Sequence, residues 1–376
     1  MTLPENIFLF ILFSVFGLSA ATQIFYYVFF YLKVAIFRHP ENHNNNGPVS
    51  VIVCARNEEN NLRNFLQSLL EQDYPVYEVI VVNDCSEDDS FSVLGEFLVR
   101  YPHLKVSTIN KDPKFTHNKK FAQFIGIKAS QYEILLFTDA DCRPDSNKWI
   151  STMASHFDDT TDFVLGYGGY SKAKGLLNRY IRYDTMFIAI QYLGMALRGI
   201  PYMGVGRNLG YRRSLFFRNK GFGSHSHLVS GDDDLFVNKI ANAKNTTVEF
   251  RPGSHTRSVP ASSLKEWFKQ KKRHMTTARY YRPGSKSLLV MEPASRLLMY
   301  ASMTILLLNL FLWPLILAIF GVRLLMQVIV LLLAGKKLNE TGLVLFSLIF
   351  DIFSPLINGI IYVSNFRNRP GKNIWK

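Results

Sequence analysis

No charged side chain occurs from Ile7 to Leu32, a run of 26 positions, and a chain built this way must bury that stretch or place it in lipid. A helix needs about 20 apolar residues to cross hydrocarbon, so the run is long enough for one crossing. A secretory signal peptide opens on positive charge and has an apolar region of only about 7 to 15 residues. This chain opens MTLPEN, so the run reads as an anchor. A second uncharged run extends from Leu297 to Val322. Leu297 to Gly335 fits one long span or a hairpin interrupted at Arg323, and Asp351 and Pro355 interrupt the last apolar stretch.

Charge placement orients these segments. Lys33, Arg38, Lys336, Lys337, Arg367 and Arg369 flank the apolar runs, and short loops rich in Lys and Arg stay in the cytoplasm. The expectation is a multi-pass protein of the inner (plasma) membrane, with residues from 38 to about 290 cytoplasmic. A net charge of +14 and a pI near 9.6 also suit nucleic-acid binding. The apolar runs and the lack of a nucleic-acid motif argue against that partner. Cys54, Cys85 and Cys142 have no CxxC spacing, which fits a reduced compartment.

The apolar pattern divides the chain into an anchor (1–37), a polar linker (38–48), an α/β domain (49–260), a basic amphipathic segment (261–290) and a C-terminal transmembrane region with a basic tail (291–376). VSVIVCA, from Val49 to Ala55, is a strand type buried on both faces. Leu62, Phe65, Leu66, Leu69 and Leu70 follow at helical spacing. VYEVIVVND (Val76 to Asp84), LKVSTI (Leu104 to Ile109), a helix from Lys119 to Ala129 and EILLFTDAD (Glu133 to Asp141) continue the alternation. A doubly wound, mostly parallel sheet flanked by transmembrane α-helices follows. From Ser262 to Arg282 the chain is basic and aromatic, with a capping box from Ser263 to Glu266. Trp267 and Phe268 beside Lys269, Lys271, Lys272 and Arg273 suit a helix at the membrane surface.

Ligands bind beyond the carboxyl ends of the strands in such sheets. Three acidic clusters fall there: Asp84 in VVNDCSEDDS, Asp139 and Asp141 in FTDADCRP, and Asp232 to Asp234 in SGDDDLF. One cluster reads as capping or turn chemistry. Three on one sheet point to a site. Asp139 and Asp141 offer hard oxygens for Mg²⁺ or Mn²⁺, cations that share their coordination with substrate phosphates.

VSVIVCARNEE, VVNDCSED, NKKFAQFIG, FTDADCRP, GDDDLF and QKKRH, in that order from Val49 to His274, make the chain resemble a family 2 glycosyltransferase of the GT-A fold. Its layout is similar to that of ceramide glucosyltransferases and polysaccharide synthases. The resemblance implies that Ala55, Arg56, Asn57 and Glu58 close over the base and ribose of a nucleotide sugar. It also implies that Asp84 hydrogen-bonds the base, Lys119 supports the pyrophosphate, and Asp139 and Asp141 serve the donor and its metal. In GDDDLF, Asp232 matches the Glu and Asp233 the catalytic Asp of a Glu-Asp-x-x-Leu segment, with the Leu one position early. Asp233 is then the general base and Asp232 the alternative. QKKRH resembles QxxRW and keeps Gln270 and Arg273, while His274 replaces the Trp. GRNLGYRR, from Gly206 to Arg213, resembles the acceptor-side segment, where Asn208 or Arg212 would contact substrate.

These matches imply an inverting, metal-dependent hexosyl transfer from a nucleotide sugar, uridine-linked, to a lipid or membrane-proximal glycan. A processive polysaccharide synthase is the alternative, disfavoured by His274. A nucleotidyltransferase would have a basic, Gly-rich loop where CARNEE stands, and an inactive scaffold would not keep all three carboxylate sites.

Overall fold

In a computed structural model the described residues are 3–40, 47–111, 118–223, 228 and 230–367. The centre of the polar linker and the tail beyond Arg367 lie outside them. The chain opens with α1 (Leu3–Phe25), which runs through a π-helical segment (Tyr26–Tyr31) into α2 (Leu32–Ile36). The α/β domain comprises β1 (Val49–Ala55), α3 (Glu59–Leu70), β2 (Tyr77–Asp84), α4 (Ser90–Arg100), β3 (Leu104–Ile109), α5 (Lys119–Ala129) and β4 (Ile134–Asp139). Next come β5 (Cys142–Pro144), α6 (Trp149–Ala154), β6 (Phe163–Gly166), β7 (Gly168–Tyr170), α7 (Leu176–Ala196), β8 (Leu209–Arg212) and α8 (Arg213–Arg218). The chain ends with α9 (Asp234–Ile240), β9 (Thr246–Glu249), β10 (Thr256–Ser258), α10 (Leu264–His274), α11 (Pro283–Leu308), α12 (Trp313–Lys337) and α13 (Val344–Arg367).

Seven strands pair in the order β3-β2-β1-β4-β8-β6-β9, with β8 antiparallel to both neighbours and the other pairs parallel. A small sheet, β5-β10-β7, sits beside it. Every residue of β1 is buried, as a central strand covered on both faces requires. Val49, Val51 and Val53 face the core under α3 and α4, while Ile52 faces the core shared with α7. Alternation along a strand separates the two cores.

The uncharged N-terminal run is only partly available to lipid. From Tyr26 onward the helix buries Tyr26, Tyr27, Phe30 and Tyr31 in the same core as α7. Tyr31 stacks edge-on against Phe187 at 5.5 Å and accepts from Gln191 Nε2 at 3.2 Å. Three segments are long and apolar enough to cross a membrane: Ile7–Ile36, Trp313–Lys337 and Val344–Asn365. The break in the second run falls at residues 309–312, where Leu310 and Leu312 take positive φ, rather than at Arg323. Arg323 lies inside α12, fully buried, 2.8 Å from Asp351 Oδ2. Arg296 takes the other oxygen of Asp351 at 3.0 Å, so the two charges that interrupt the apolar pattern satisfy one another.

α13 behaves differently from a simple span. Just before it, Glu340 enters the α/β domain and pairs with Arg182 and Arg257. Near its other end Asn365 Nδ2 donates to the Lys272 carbonyl at 3.0 Å. Leu345, Ile349, Phe353 and Ile360 are exposed on one face, while Ser347, Phe350, Asp351 and Ile361 are buried on the other. One end of the helix is held on the α/β domain and the other on α10.

Candidate active site

The edge of the sheet formed by the ends of β1, β2 and β4 carries the site. β1 and β2 pair in parallel with Ala55 opposite Asn83, so the following Arg56 and Asp84 occupy adjacent strand ends. Asp84 is fully buried and closes β2. The two loops that leave these strands are tied together. Asn57, at φ 55°, donates its backbone N–H to Ser86 Oγ at 2.9 Å and accepts the Glu87 N–H on Oδ1 at 2.8 Å. Glu58 N–H donates to Ser90 Oγ at 3.1 Å. Asn57 and Glu58 thus tie the loop after β1 to the loop after β2.

At the end of β4, Asp139 Oδ1 lies 2.7 Å from Lys119 Nζ, at the first turn of α5. Asn118 caps that helix by accepting the Phe121 N–H at 3.0 Å, which fixes where Lys119 starts. Lys119 also approaches Asp232 Oδ2 at 3.4 Å. Burial works against its charge, but Asp139, Asp232 and Asp233 outweigh it and hold the ammonium well above its ordinary range. Burial alone would raise Asp139; Lys119, then Arg207 and Arg273, bring it below the usual carboxylate range. Arg273 on α10 therefore reaches the field of this carboxylate. Gln270 lies one turn earlier on the same helix, partly exposed.

Asp141 follows in the turn between β4 and β5. Its Oδ2 accepts from Ser258 Oγ on β10 at 2.8 Å, and its Oδ1 lies 3.3 Å from Cys142 Sγ. Donor atoms of Asp139, Asp141 and Cys142 lie within 4.8 Å of one another, a set that fits one divalent cation. Burial, then Asp141 and Asp139, push the Cys142 thiol up, so the two carboxylates carry the affinity. Cys142 follows the Asp-x-Asp directly, and its nearness to this ion position was not drawn from the sequence.

The third cluster caps α9. Asp233 Oδ1 accepts the Asp234 N–H at 2.8 Å, and Oδ2 accepts the Gly206 N–H at 2.6 Å. A Cβ on Gly206 would lie 3.2 Å from Asp233 Oδ2 and 3.3 Å from Lys119 Nζ, so this glycine leaves room for both charges. Burial, then Asp232 and Asp234, push Asp233 up to about 7. Asp234 is turned away, its Oδ2 accepting from Thr277 Oγ1 and from Tyr281 OH, the latter at 2.7 Å.

Two acceptor-side candidates belong elsewhere. Asn208 is sealed in the core, accepting Trp149 Nε1–H at 3.0 Å and donating to the carbonyls of Tyr167 at 2.8 Å and Ser254 at 2.7 Å. All its polar capacity is used inside the fold, leaving none for a substrate. Arg212 pairs in register with Ile134, at the start of β4 and away from Asp139, and donates to the Thr161 carbonyl at 3.1 Å. Beside Gly206, whose N–H already meets Asp233, Arg207 is the side chain of this segment that reaches the site. It crosses the face of Tyr170 at 4.5 Å and acts on Asp139. A Cβ on Gly168 would collide with its side chain at 2.5 Å, so this glycine makes room for it, as Gly166 does for Asn208 and Gly169 for Arg257. Trp267 is also not at the surface: it packs edge-on against Tyr180 at 5.3 Å, while Lys271 Nζ reaches Asp184 at 2.5 Å. Ser263 caps α10 as read from the sequence, but Glu266 returns to Ser262 N–H at 3.0 Å.

With this geometry, the comparison with known proteins is decisive: the family model described as "Glycosyl transferase family 21" matches residues 15–372. The chain belongs to that family. The family 21 chain is 28% identical over 236 residues to "Probable glycosyltransferase YdaM" of Bacillus subtilis, covering 60% of this chain and 54% of that protein. It is 26% identical over 235 residues to hyaluronan synthase of Streptococcus pyogenes, covering 60% and 55%. It thus spans about half the length of these curated relatives. Among solved structures it is similar to mannosyltransferase PcManGT from Pyrobaculum calidifontis in complex with GDP-Man and Mn²⁺, with a TM-score of 0.57, 17% identity, and 91% and 99% of the two chains covered. The family 21 chain has a GT-A-type fold and, among the described residues, apolar helices of membrane-spanning length.

Proposed function

We propose that this family 21 enzyme transfers a single hexose from a nucleotide sugar to a hydroxyl of a lipid or membrane-proximal glycan, with inversion at the anomeric carbon. One observation carries the reading: Asp233, pushed up to about 7, shares a cleft with Lys119 and with the Asp139–Asp141 pair. A base needs a pKa near the working pH. Asp233 takes the proton from the acceptor hydroxyl as its oxygen attacks the anomeric carbon. The bond from that carbon to the diphosphate breaks on the opposite face, and the nucleoside diphosphate leaves.

Asp139 and Asp141 would hold Mg²⁺ or Mn²⁺, which when bound supplies positive charge to the leaving diphosphate. Lys119 and Arg273 add fixed positive charge beside it. Asp84, with Ala55, Arg56, Asn57 and Glu58, forms the base and ribose wall. A carboxylate there accepts from an imide N–H, which suits uracil. The PcManGT structure holds GDP-Man, so guanine donors belong in the assay beside uracil ones. His274 at the end of α10 provides no broad aromatic platform for a growing polymer, which favours one addition over processive synthesis. The basic flanks support a cytoplasmic α/β domain at the inner membrane, with the acceptor presented from the bilayer.

The test is incubation of the purified full chain with UDP- and GDP-hexoses and membrane lipids, followed by mass spectrometry of the products. A lipid or glycan carrying one added hexose, formed only with a divalent cation, is expected. Absence of any transferred hexose, or polymer as the main product, would overturn the reading.

A further inference from the structure

Three residues after α2 ends, the chain brings His39 against the far edge of the sheet, away from the strand ends that carry the Asp clusters. The imidazole sits between two phenyl rings, edge-on to Phe250 at 4.5 Å and to Phe37 at 4.9 Å. Its Nδ1 points at Glu249 Oε2 from 3.8 Å. His156, just past α6, places Nε2 2.6 Å from the same oxygen. The donor atoms of His39, His156 and Glu249 all lie within 4.8 Å of one another.

The side chains are 10%, 9% and 0% exposed in that order. His156 is hydrogen-bonded to the carboxylate, but neither ring nitrogen of His39 has a hydrogen-bond partner. A neutral imidazole carries one donor and one acceptor. Leaving both unmet in an interior position is uncommon and calls for an explanation, of which an ion is one. An unpartnered imidazole nitrogen 3.8 Å from a buried carboxylate oxygen that already holds a second imidazole is a spacing that one cation could bridge.

We propose that His39, His156 and Glu249 form a zinc site separate from the reaction centre. Two imidazole nitrogens and one carboxylate oxygen are a donor set zinc favours, and water from the open side completes four-coordination. The main competitor is Arg251. Its guanidinium approaches Glu249 Oε2 at 2.9 Å through Nε and 2.5 Å through NH2, and its NH2 lies 3.5 Å from His156 Nε2. Glu249 Oε1, however, already accepts the Arg251 backbone N–H at 2.7 Å, Arg251 Nε at 3.2 Å and Ser254 Oγ at 3.2 Å. With zinc on Oε2, the 29% exposed Arg251 side chain keeps its contact to Oε1 and acts as an outer partner that orients the ligand. The ion joins three points distant in sequence: the exit of the N-terminal helix, the end of α6 and the last residue of β9. It therefore fixes the membrane anchor to the edge of the catalytic domain.

The experiment uses the full chain purified in detergent, carrying Asp139→Asn and Asp141→Asn so that the active-site carboxylates do not compete. After chelator treatment it is dialysed against Zn²⁺ and, separately, Co²⁺. About one zinc per chain and the intense visible absorption of four-coordinate Co²⁺ are expected. Adding His39→Ala or His156→Ala should weaken binding at least tenfold and abolish the cobalt spectrum. Zinc should raise the melting temperature of the parent but not of the His39→Ala variant. Metal-free, the His39→Ala variant should melt somewhat lower because the ring packing on Phe37 and Phe250 is lost, so the readout is the shift that zinc produces in each protein. Failure of the parent to bind zinc, or equal binding by the His39→Ala variant, overturns the proposal.

Discussion

Replacement of Glu340 by Ala tests whether the turn between α12 and α13 is built into the catalytic domain. Its carboxylate is fully buried and accepts from Tyr167 OH at 3.1 Å, Arg182 Nε at 2.9 Å and Arg257 NH1 at 2.5 Å, with Arg182 NH2 at 2.6 Å. Both guanidiniums are 8% exposed. Arg257 keeps Asp145 at 2.9 Å and the Leu338 carbonyl at 3.0 Å in the variant, but Arg182 loses the only carboxylate within ion-pair reach among the described residues. Each bond to a charged group contributes about 1.5 to 3 kcal/mol. A plain sum overstates the effect because the neighbours relax. Removing one partner of a buried pair typically costs about 3 to 5 kcal/mol, or a melting temperature lower by roughly 10 °C for a domain of this size. Glu340→Gln, which still accepts from Tyr167 and one Arg, should lose less. Thermal unfolding in detergent, followed by fluorescence of the buried Trp149 and Trp267, measures this. The loss should extend to the site, because β10 carries both Arg257 and Ser258, whose hydroxyl holds Asp141. Manganese affinity, read by electron paramagnetic resonance, should fall in the same variant. An Ala variant within about 0.5 kcal/mol of the parent would refute the docking argument.

Four further outcomes follow from the site and the helices. Asp141→Ala should abolish manganese binding and sugar transfer while circular dichroism stays unchanged, since a ligand rather than core volume is lost; full activity in excess chelator would refute metal dependence. Asp233→Asn should lower transfer by about 10² to 10⁴ with donor affinity intact, whereas Asp84→Asn should weaken donor binding by roughly 1.5 to 3 kcal/mol; calorimetry beside a transfer assay separates them. Because Asp233 is raised and must be ionised to act, the rate should climb as pH rises through about 7, and Asp234→Asn, removing a like charge, should move that inflection toward acid. Cysteines placed at Thr341 and Asn365 should react with a membrane-impermeant reagent from the same side; labelling from opposite sides would mean that α13 spans.

The parts of the fold legible in the sequence are those governed by local pattern. β1, β3 and α5 begin and end where the apolar periodicity places them, and β2 starts at Tyr77 rather than Val76. β4 stops at Asp139, so the Asp-x-Asp straddles a strand end and a turn instead of lying on one strand. The short strands β6, β7 and β10, of three or four residues, have too few positions for a period to emerge, and the glycines of β6 and β7 read as loop. In fact the glycines make room for side chains, and that need comes from residues far along the chain. Arg207 was overlooked and Asn208 chosen for the same reason. Both stand in GVGRNLG, and only the tertiary packing decides that one enters the cleft and the other ties Trp149, Tyr167 and Ser254 together.

The reaction centre is held from the membrane side as well as by the sheet. Asp234, adjacent to the proposed base, is gripped by Thr277 and Tyr281, which precede α11 by a few residues. Arg282 closes the connection: its N–H donates to Asn238 on α9 at 2.8 Å, and its guanidinium donates to the carbonyls of Pro201 at 2.7 Å and Ala241 at 3.3 Å. α11 begins at the next residue, Pro283, whose fixed φ suits a helix start. A shift of α11 must therefore pull on α9 and on the carboxylate that caps it. Buried side chains respond to such a pull by repacking rather than by stretching. The position of Asp233 relative to the start of α11 is consequently a property of the fold, set by hydrogen bonds that the α/β domain alone would not possess.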